Sequence, residues 1–163
     1  MKPTLLGILL LLLSSSLSAQ VRLDVGIAAG QQSYEGREFG SQFLLSPEVM
    51  LSRGRLALYY SLDLADLPHA GSLLGSHVGL AYRWPVGRNL AIRAGAGPSY
   101  VTIEYLGGEP TWHAQAELAL RTRQLEWFVK VRHYDYSLSE FRVANASPEG
   151  PALLGGVRFT LME

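Results

Sequence analysis

The chain of 163 residues contains no cysteine, which removes disulfides, thiolate nucleophiles and thiolate metal centres. It carries no net charge, because 14 lysines and arginines balance 14 aspartates and glutamates. The electrostatic footprint of a nucleic-acid binder is therefore missing. Beyond the first twenty residues no apolar run approaches the ~20 residues a spanning helix needs. Helical periodicity is nearly absent too. No Ser/Pro-rich linker or low-complexity tract divides the chain, and its length fits one domain.

What is present begins with "MKPTLLGILLLLLSSSLSAQ". A basic Lys2, an apolar core from Leu5 to Leu13 and then small residues predict a secretory signal peptide over residues 1–19. Cleavage is expected after Ala19, with Ser18 as the competing position because Leu17 fits poorly three residues before the cut. A nine-residue core is too short for an uncleaved membrane anchor. Residues 20–163 form the expected mature domain.

Period-2 alternation dominates that domain and predicts eight strands: Val21–Ala29, Phe39–Leu51, Arg55–Leu62, Leu74–Trp84, Leu90–Val101, Trp112–Leu120, Leu125–His133 and Leu153–Leu161. On the apolar parity there is no Asp, Glu, Lys or Arg. The other parity carries about ten, namely Arg22, Asp24, Glu48, Arg83, Arg93, Glu117, Glu126, Lys130, Arg132 and Arg158. A soluble antiparallel sheet also has a polar face, so the features around the alternation decide the reading.

Connections alternate in length. "SRGR" (Ser52–Arg55), "PVGRN" (Pro85–Asn89) and "RTRQ" (Arg121–Gln124) are tight, while Gly30–Glu38, Asp63–Leu73, Thr102–Thr111 and Ser137–Pro151 are longer. Short turns on one side and long loops on the other mark an all-β, eight-stranded, antiparallel up-and-down transmembrane β-barrel. With a periplasmic N-terminus, Tyr82, Trp84, Trp127 and Phe159 fall near the periplasmic side, and Phe39, Tyr60, Tyr100 and Trp112 near the outside. Two such girdles bracket an apolar band of ~25 Å.

Glycines 26, 79, 95, 97 and 156 share the charged parity. An eight-stranded barrel is just wide enough to be filled by side chains, so small residues there make room for long charged ones. The lumen is thus expected to hold a salt-bridged plug of the ten charges, with His77, His113 and Phe128 on the same parity, and no wide channel. A soluble lipocalin-like binding barrel would reverse the pattern, with an apolar cavity inside and charges outside. His69, His77, His113 and His133 lack metal-ligand spacing, and "GAGPSY" (Gly95–Tyr100) has no following helix, so neither a metal nor a phosphate-loop cofactor is expected. "NAS" at Asn145 says little more than exposed loop.

With these features in place, "VGLAYRWPVGRNLAIRAGAGPSY" (Val78–Tyr100) resembles a hairpin of the small outer-membrane β-barrel proteins of Gram-negative bacteria, the OmpX-like and OmpA-transmembrane-domain-like barrels. The resemblance implies an outer-membrane location, contact with membrane lipid and lipopolysaccharide, insertion by the barrel-assembly machinery, and structural or adhesive roles without catalysis. The last strand keeps the alternation that machinery favours through Gly155, Val157, Phe159 and Leu161, but Glu163 stands where a terminal aromatic is usual. Loop residues Tyr34, Glu35, Arg37, Glu38, His69, Tyr105, Glu109, Glu140 and Arg142 are of mixed charge and name no ligand.

A second resemblance lies at the C-terminal end. "RHYDYS" followed by "NASPEGPALLGGVRF" is similar to the outer-membrane lipid A deacylases. Those place a Ser two residues after an outward His. Here Asp135 occupies that place after His133, and Ser137 lies two further on. Extended strand sets Ser137 ~13 Å from His133, against the ~3 Å a nucleophile needs from its base. The alternative to a hydrolase site is an interfacial His–Asp–Tyr rim.

Overall fold

The computed structural model describes residues 20–33, 41–67, 71–105, 107–135 and 151–162, and all their regular structure is strand. The expected signal peptide, Phe39, His69, Ser137, Asn145, Glu163 and the loop residues Tyr34, Glu35, Arg37, Glu38, Glu140 and Arg142 lie outside the described residues. The strands are β1 Val21–Ser33, β2 Ser41–Arg53, β3 Leu56–Leu67, β4 Gly71–Pro85, β5 Leu90–Ile103, β6 Gly107–Thr122, β7 Leu125–Asp135 and β8 Ala152–Met162. Each pairs antiparallel with its neighbours in sequence, and β8 pairs back onto β1, so the sheet closes into a barrel. Closure leaves no unpaired sheet edge, the condition for crossing hydrocarbon with strands.

At one end the connections are tight: Gly54–Arg55, Val86–Asn89 and Arg123–Gln124 join β2–β3, β4–β5 and β6–β7. Gly54 supplies the left-handed φ of 62° its turn needs, while Arg123 adopts φ 56° without glycine's freedom, at a cost of ~1 kcal/mol. At the other end two connections are shorter than their sequences suggest. β3 and β4 stay in register to Leu67↔Gly71, so residues 68–70 join them rather than Asp63–Leu73. β5 and β6 pair to Ile103↔Gly107, leaving 104–106 in place of Thr102–Thr111. The backbone ladder continues there after apolar alternation stops: Asp63 points in and Asp66 points out.

The β1–β8 ladder shifts register between Leu23 and Asp24, and prolines interrupt the ladder twice more. β2–β3 pairing skips between Leu45↔Leu64 and Glu48↔Ser61, at Pro47. β4–β5 pairing skips between His77↔Ser99 and Leu80↔Ala96, at Pro98. Proline has no N–H to donate, and each turns its ordinary side to the other neighbour, Pro47 to Ile27 and Pro98 to Trp112.

Inside and outside are inverted relative to a soluble protein. Leu80 is 66% exposed and Phe43 64%, whereas Arg158 is 1% exposed and Lys130 0%. Apolar side chains cover the outer wall and charges fill the lumen. At the loop end the lumen is capped by inward Leu44, Leu67, Leu73, Val101, Ile103 and Leu154, all buried.

Beside the Pro98 gap, a Cβ on Gly97 would lie 2.0 Å from the Val78 carbonyl oxygen and 2.6 Å from the Gly79 Cα. Both obstacles are backbone, so they cannot swing aside. Gly97→Val is expected to lower the stability of the micelle-embedded barrel by about 1–3 kcal/mol, the usual range for overpacking. Equilibrium urea unfolding measures this, and an unchanged midpoint would contradict the close approach of β4 and β5.

Candidate functional site

The lumen is the most chemically loaded region of the molecule, and its contents are layered along the axis. Nearest the short turns, Arg22 Nε donates to Asp24 Oδ1 at 2.8 Å and reaches Glu126 at 3.5 Å. Thr160 Oγ1 donates to the same Asp24 oxygen at 2.7 Å. Arg93 from β5 holds Glu126 with both terminal nitrogens, at 2.7 and 2.8 Å, and Glu117 at 2.6 Å. The paired fork is the geometry in which guanidinium–carboxylate bonds are strongest.

Above this layer Arg158 of β8 is the hub. Its Nε donates to Glu48, its two terminal nitrogens to Glu117, and one of them also to Glu126 at 3.0 Å. Lys130 donates to Glu48 from the opposite wall. The Arg158 guanidinium lies 3.8 Å from the Phe128 ring centre and Lys130 Nζ 5.4 Å, so the aromatic face serves both cations where no carboxylate does. Phe128, which interrupts the polar parity of its strand in sequence, is thereby a stacking partner inside.

A third layer follows toward the loops. Arg132 donates to both Asp63 oxygens at 2.7 Å, to Ser61 at 2.9 Å and to Gln115 at 3.2 Å, and Tyr134 donates to Asp63. From Asp63 a chain of polar groups crosses the lumen. His77 Nε2 stands 3.2 Å from Asp63, too oblique for a straight hydrogen bond. His77 Nδ1 and Ser99 Oγ are 2.8 Å apart, Ser99 Oγ and His113 Nδ1 2.7 Å, and His113 Nε2 and the Tyr59 hydroxyl 2.6 Å. One proton arrangement with neutral imidazoles serves every link. Tyr59 donates to His113, His113 to Ser99, Ser99 to His77, and His77 turns its Nε2–H toward the Asp63 carboxylate.

Asp, His and Ser in sequence are the parts of a nucleophilic triad. Here Ser99 is 6% exposed and His77 0%, beneath the aliphatic cap of the loop end. The buried hydroxyl is held between two imidazoles, and the chain forms a hydrogen-bonded brace across the lumen.

Of the ten charges expected inside, nine are buried and joined in these layers. Arg83 is half-buried at the short-turn mouth, and its Nε has no hydrogen-bond partner among the described residues. Sequence reading missed Asp63, which it assigned to a loop, and Tyr134; it placed Tyr59, Ser61 and Ser99 on the inward parity but gave them no role. Continuing the β3 parity from Ala57 through Tyr59 and Ser61 was the available signal for Asp63. The aliphatic cap had none, because Leu44, Leu67 and Leu154 are apolar residues on the polar parity.

Among the aromatics expected in girdles, Trp84, Trp127 and Phe159 face outward at the short-turn end, with the Tyr82 ring 4.7 Å from Trp84. Tyr100 and Trp112 face outward in the loop half of β5 and β6. Tyr60 is exposed but is the fifth of the twelve residues of β3, on the short-turn side of that strand's middle and away from its loop end. His133 points outward beside Ala114 and Asp135 outward beside Trp112. β7 remains extended through both, which sets their side chains ~7 Å apart. His133 makes no hydrogen bond or ion pair with another described residue.

No family model and no curated protein matches this sequence. Solved structures do. A de novo designed transmembrane β-barrel superposes with a TM-score of 0.60 at 15% identity, covering 86% of this chain and 95% of its own. Neisserial surface protein A (NspA) gives 0.56 at 12% identity, covering 85% and 96%. The Yersinia pestis outer membrane protein Ail gives 0.53 at 8% identity, covering 88% and 100%. At such identities the likeness is one of fold, and that fold is the small eight-stranded transmembrane barrel.

Arg158 touches three glutamates, so Arg158→Met removes the compensation of several buried charges at once. Breaking a buried pair typically costs about 3–5 kcal/mol. A loss of that size is expected in urea unfolding of the variant, with part of it recovered in the Arg158→Met/Glu117→Gln double variant. Equal stabilities for single and double variants would show that the hub does not hold the lumen.

Proposed function

We propose that this chain is an integral, non-catalytic protein of the bacterial outer membrane. Its barrel is a closed, rigid anchor that presents the loop-end rim as a contact surface of the cell envelope. The observation that carries this reading is the inversion of the wall, with Leu80, Phe43 and Trp112 exposed and Arg132, Arg158 and Lys130 buried. A wall of that kind is stable only against hydrocarbon. The tight turns correspond to the periplasmic end and the other rim to the cell exterior, among lipopolysaccharide. Insertion falls to the barrel-assembly machinery, which reads the alternating last strand.

The filled lumen argues against conduction. Paired side chains cross it in every layer, and the loop end adds an aliphatic cap that offers ions no counter-charge. It argues equally against a lipocalin-like role, because among the described residues charged and polar side chains occupy the inside. The lipid A hydrolase reading rests on His133 with Asp135 and Ser137, and His133 is an outward residue without a hydrogen-bonded partner among the described residues. Loops on a rigid scaffold commonly carry recognition, which leaves the connections 34–40 and 136–150 as the contact segments.

Expressed in a Gram-negative host, the protein is expected to fractionate with the outer membrane, to require detergent for extraction and to migrate faster unheated than boiled in SDS gels. In planar bilayers it should add no steady ion conductance, and lipid A from the same cells should keep all its acyl chains by mass spectrometry. Recovery as a freely soluble periplasmic protein would sink the membrane assignment. Loss of an acyl chain that His133→Ala abolishes would replace the structural role with a hydrolase.

A further inference from the structure

The charges of the lumen form a closed account. Arg22, Arg93, Lys130, Arg132 and Arg158 are five cations, and Asp24, Glu48, Asp63, Glu117 and Glu126 are five anions, and every one of them contacts an opposite charge within the set. Arg83 stands outside this balance. Its buried Nε has no hydrogen-bond partner among the described residues, an arrangement that ordinarily costs free energy.

Arg83 lines a cleft of about 200 Å³ at the short-turn mouth, together with Arg22, Arg93, Arg55 and Arg121. Ser52 and Gln20 add polar groups, and no carboxylate lines it. Arg22 and Arg93 form the floor, already joined to the glutamates above. Arg55 and Arg121 stand at the rim, where Arg55 donates to the Tyr82 hydroxyl at 3.3 Å and Arg121 Nε to the Arg123 carbonyl at 3.2 Å. With ~30 Å³ as a water's share of liquid volume, the cleft holds a phosphate-sized anion and a few waters. The aliphatic cap at the loop end leaves the short-turn side as its approach.

We propose that this mouth is a binding site for a phosphate group, with Arg83 as its central donor and Arg121 and Arg55 closing on it from the rim. Several guanidiniums around one small cleft favour a multiply charged oxyanion over a single carboxylate, and the guanidinium fork matches phosphate oxygens two at a time. Both a soluble phosphate compound and a phospholipid headgroup of the adjoining leaflet carry that chemistry. The proposal goes beyond the envelope role and does not depend on it, since a soluble phosphate would bind the barrel wherever the barrel resides.

The test uses the mature barrel in maltoside micelles, free of phosphate, with the arginine Nε–H signals followed by NMR at constant ionic strength. In one arm inorganic phosphate and pyrophosphate are titrated against chloride. In the other the barrel is moved into phosphatidylglycerol bilayers with no free phosphate. Saturable displacement of the Arg83 signal by the free anions assigns a soluble source, and displacement in the lipid arm alone assigns a headgroup. Apparent affinity in the responding arm should fall at least tenfold in Arg83→Gln, and several-fold in Arg121→Gln at the rim. No displacement in either arm, or equal affinity in wild type and Arg121→Gln together with an unmoved Arg83 signal, overturns the site.

Discussion

Charge inside a narrow barrel must be matched within hydrogen-bond reach, because the lumen offers little water to solvate what is left over. That requirement governs the rest of the wall. Arg158 can meet Glu48, Glu117 and Glu126 because glycine stands beside it, Gly26 on the neighbouring β1 and Gly156 on its own strand. A Cβ on Gly26 would come within 2.6 Å of Arg158 Cγ, and one on Gly156 within 2.5 Å of the Phe128 ring. Long charged side chains, the ring beneath them and the glycines that admit them are one packing solution spread over β1, β2, β5, β6, β7 and β8. The apolar outer wall follows from the same choice, since a strand that turns its charges inward has only its other parity to turn outward.

Much of this was legible in the sequence because strand parity is a local property. "LEWFVKVRH" separates Leu125, Trp127, Val129 and Val131 from Glu126, Lys130 and Arg132 without reference to anything outside the segment, and the structure puts the two sets on opposite faces. The pairing of charges is not local. Lys130 and Glu48, or Arg132 and Asp63, are joined across the lumen from strands far apart in sequence, and register and closure decide who meets whom. Strand ends were misjudged for a related reason. Apolar alternation reports only the part of a strand that needs an apolar face, while hydrogen bonding carries β3 and β4 past Leu62 to Leu67 and Gly71. Asp63 was lost with that extension, although it anchors the third layer.

The chain from Tyr59 to Asp63 shows how far constellation differs from function. Ser99 has a histidine on each side and an aspartate beyond one of them, yet its hydroxyl is committed to both rings. A nucleophile needs a reacting atom beside it and donors for the charge that develops, and Ser99 is buried between two imidazoles. What remains is directionality. Because the Asp63 carboxylate receives Arg132 and Tyr134 at one end, each hydroxyl and imidazole along the chain has one favoured donor sense, which holds four strands in fixed azimuth.

The two ends of the barrel are then physically unlike. Among the described residues, the charged side chains at the short-turn rim are arginines (Arg53, Arg55, Arg88, Arg121 and Arg123), and those at the loop rim are carboxylates (Asp66, Glu104, Glu109 and Asp135). The net charge of the sequence is zero, so composition hides a separation of charge along the axis. Among the described residues the buried cations and anions cancel one another, so the separation there is set by the rims and by Arg83. A protein of this shape meets an anionic phospholipid surface favourably at its arginine end and unfavourably at its acidic end. The arginine end is thus the one suited to an anionic phospholipid leaflet, and it is the end proposed above to be periplasmic.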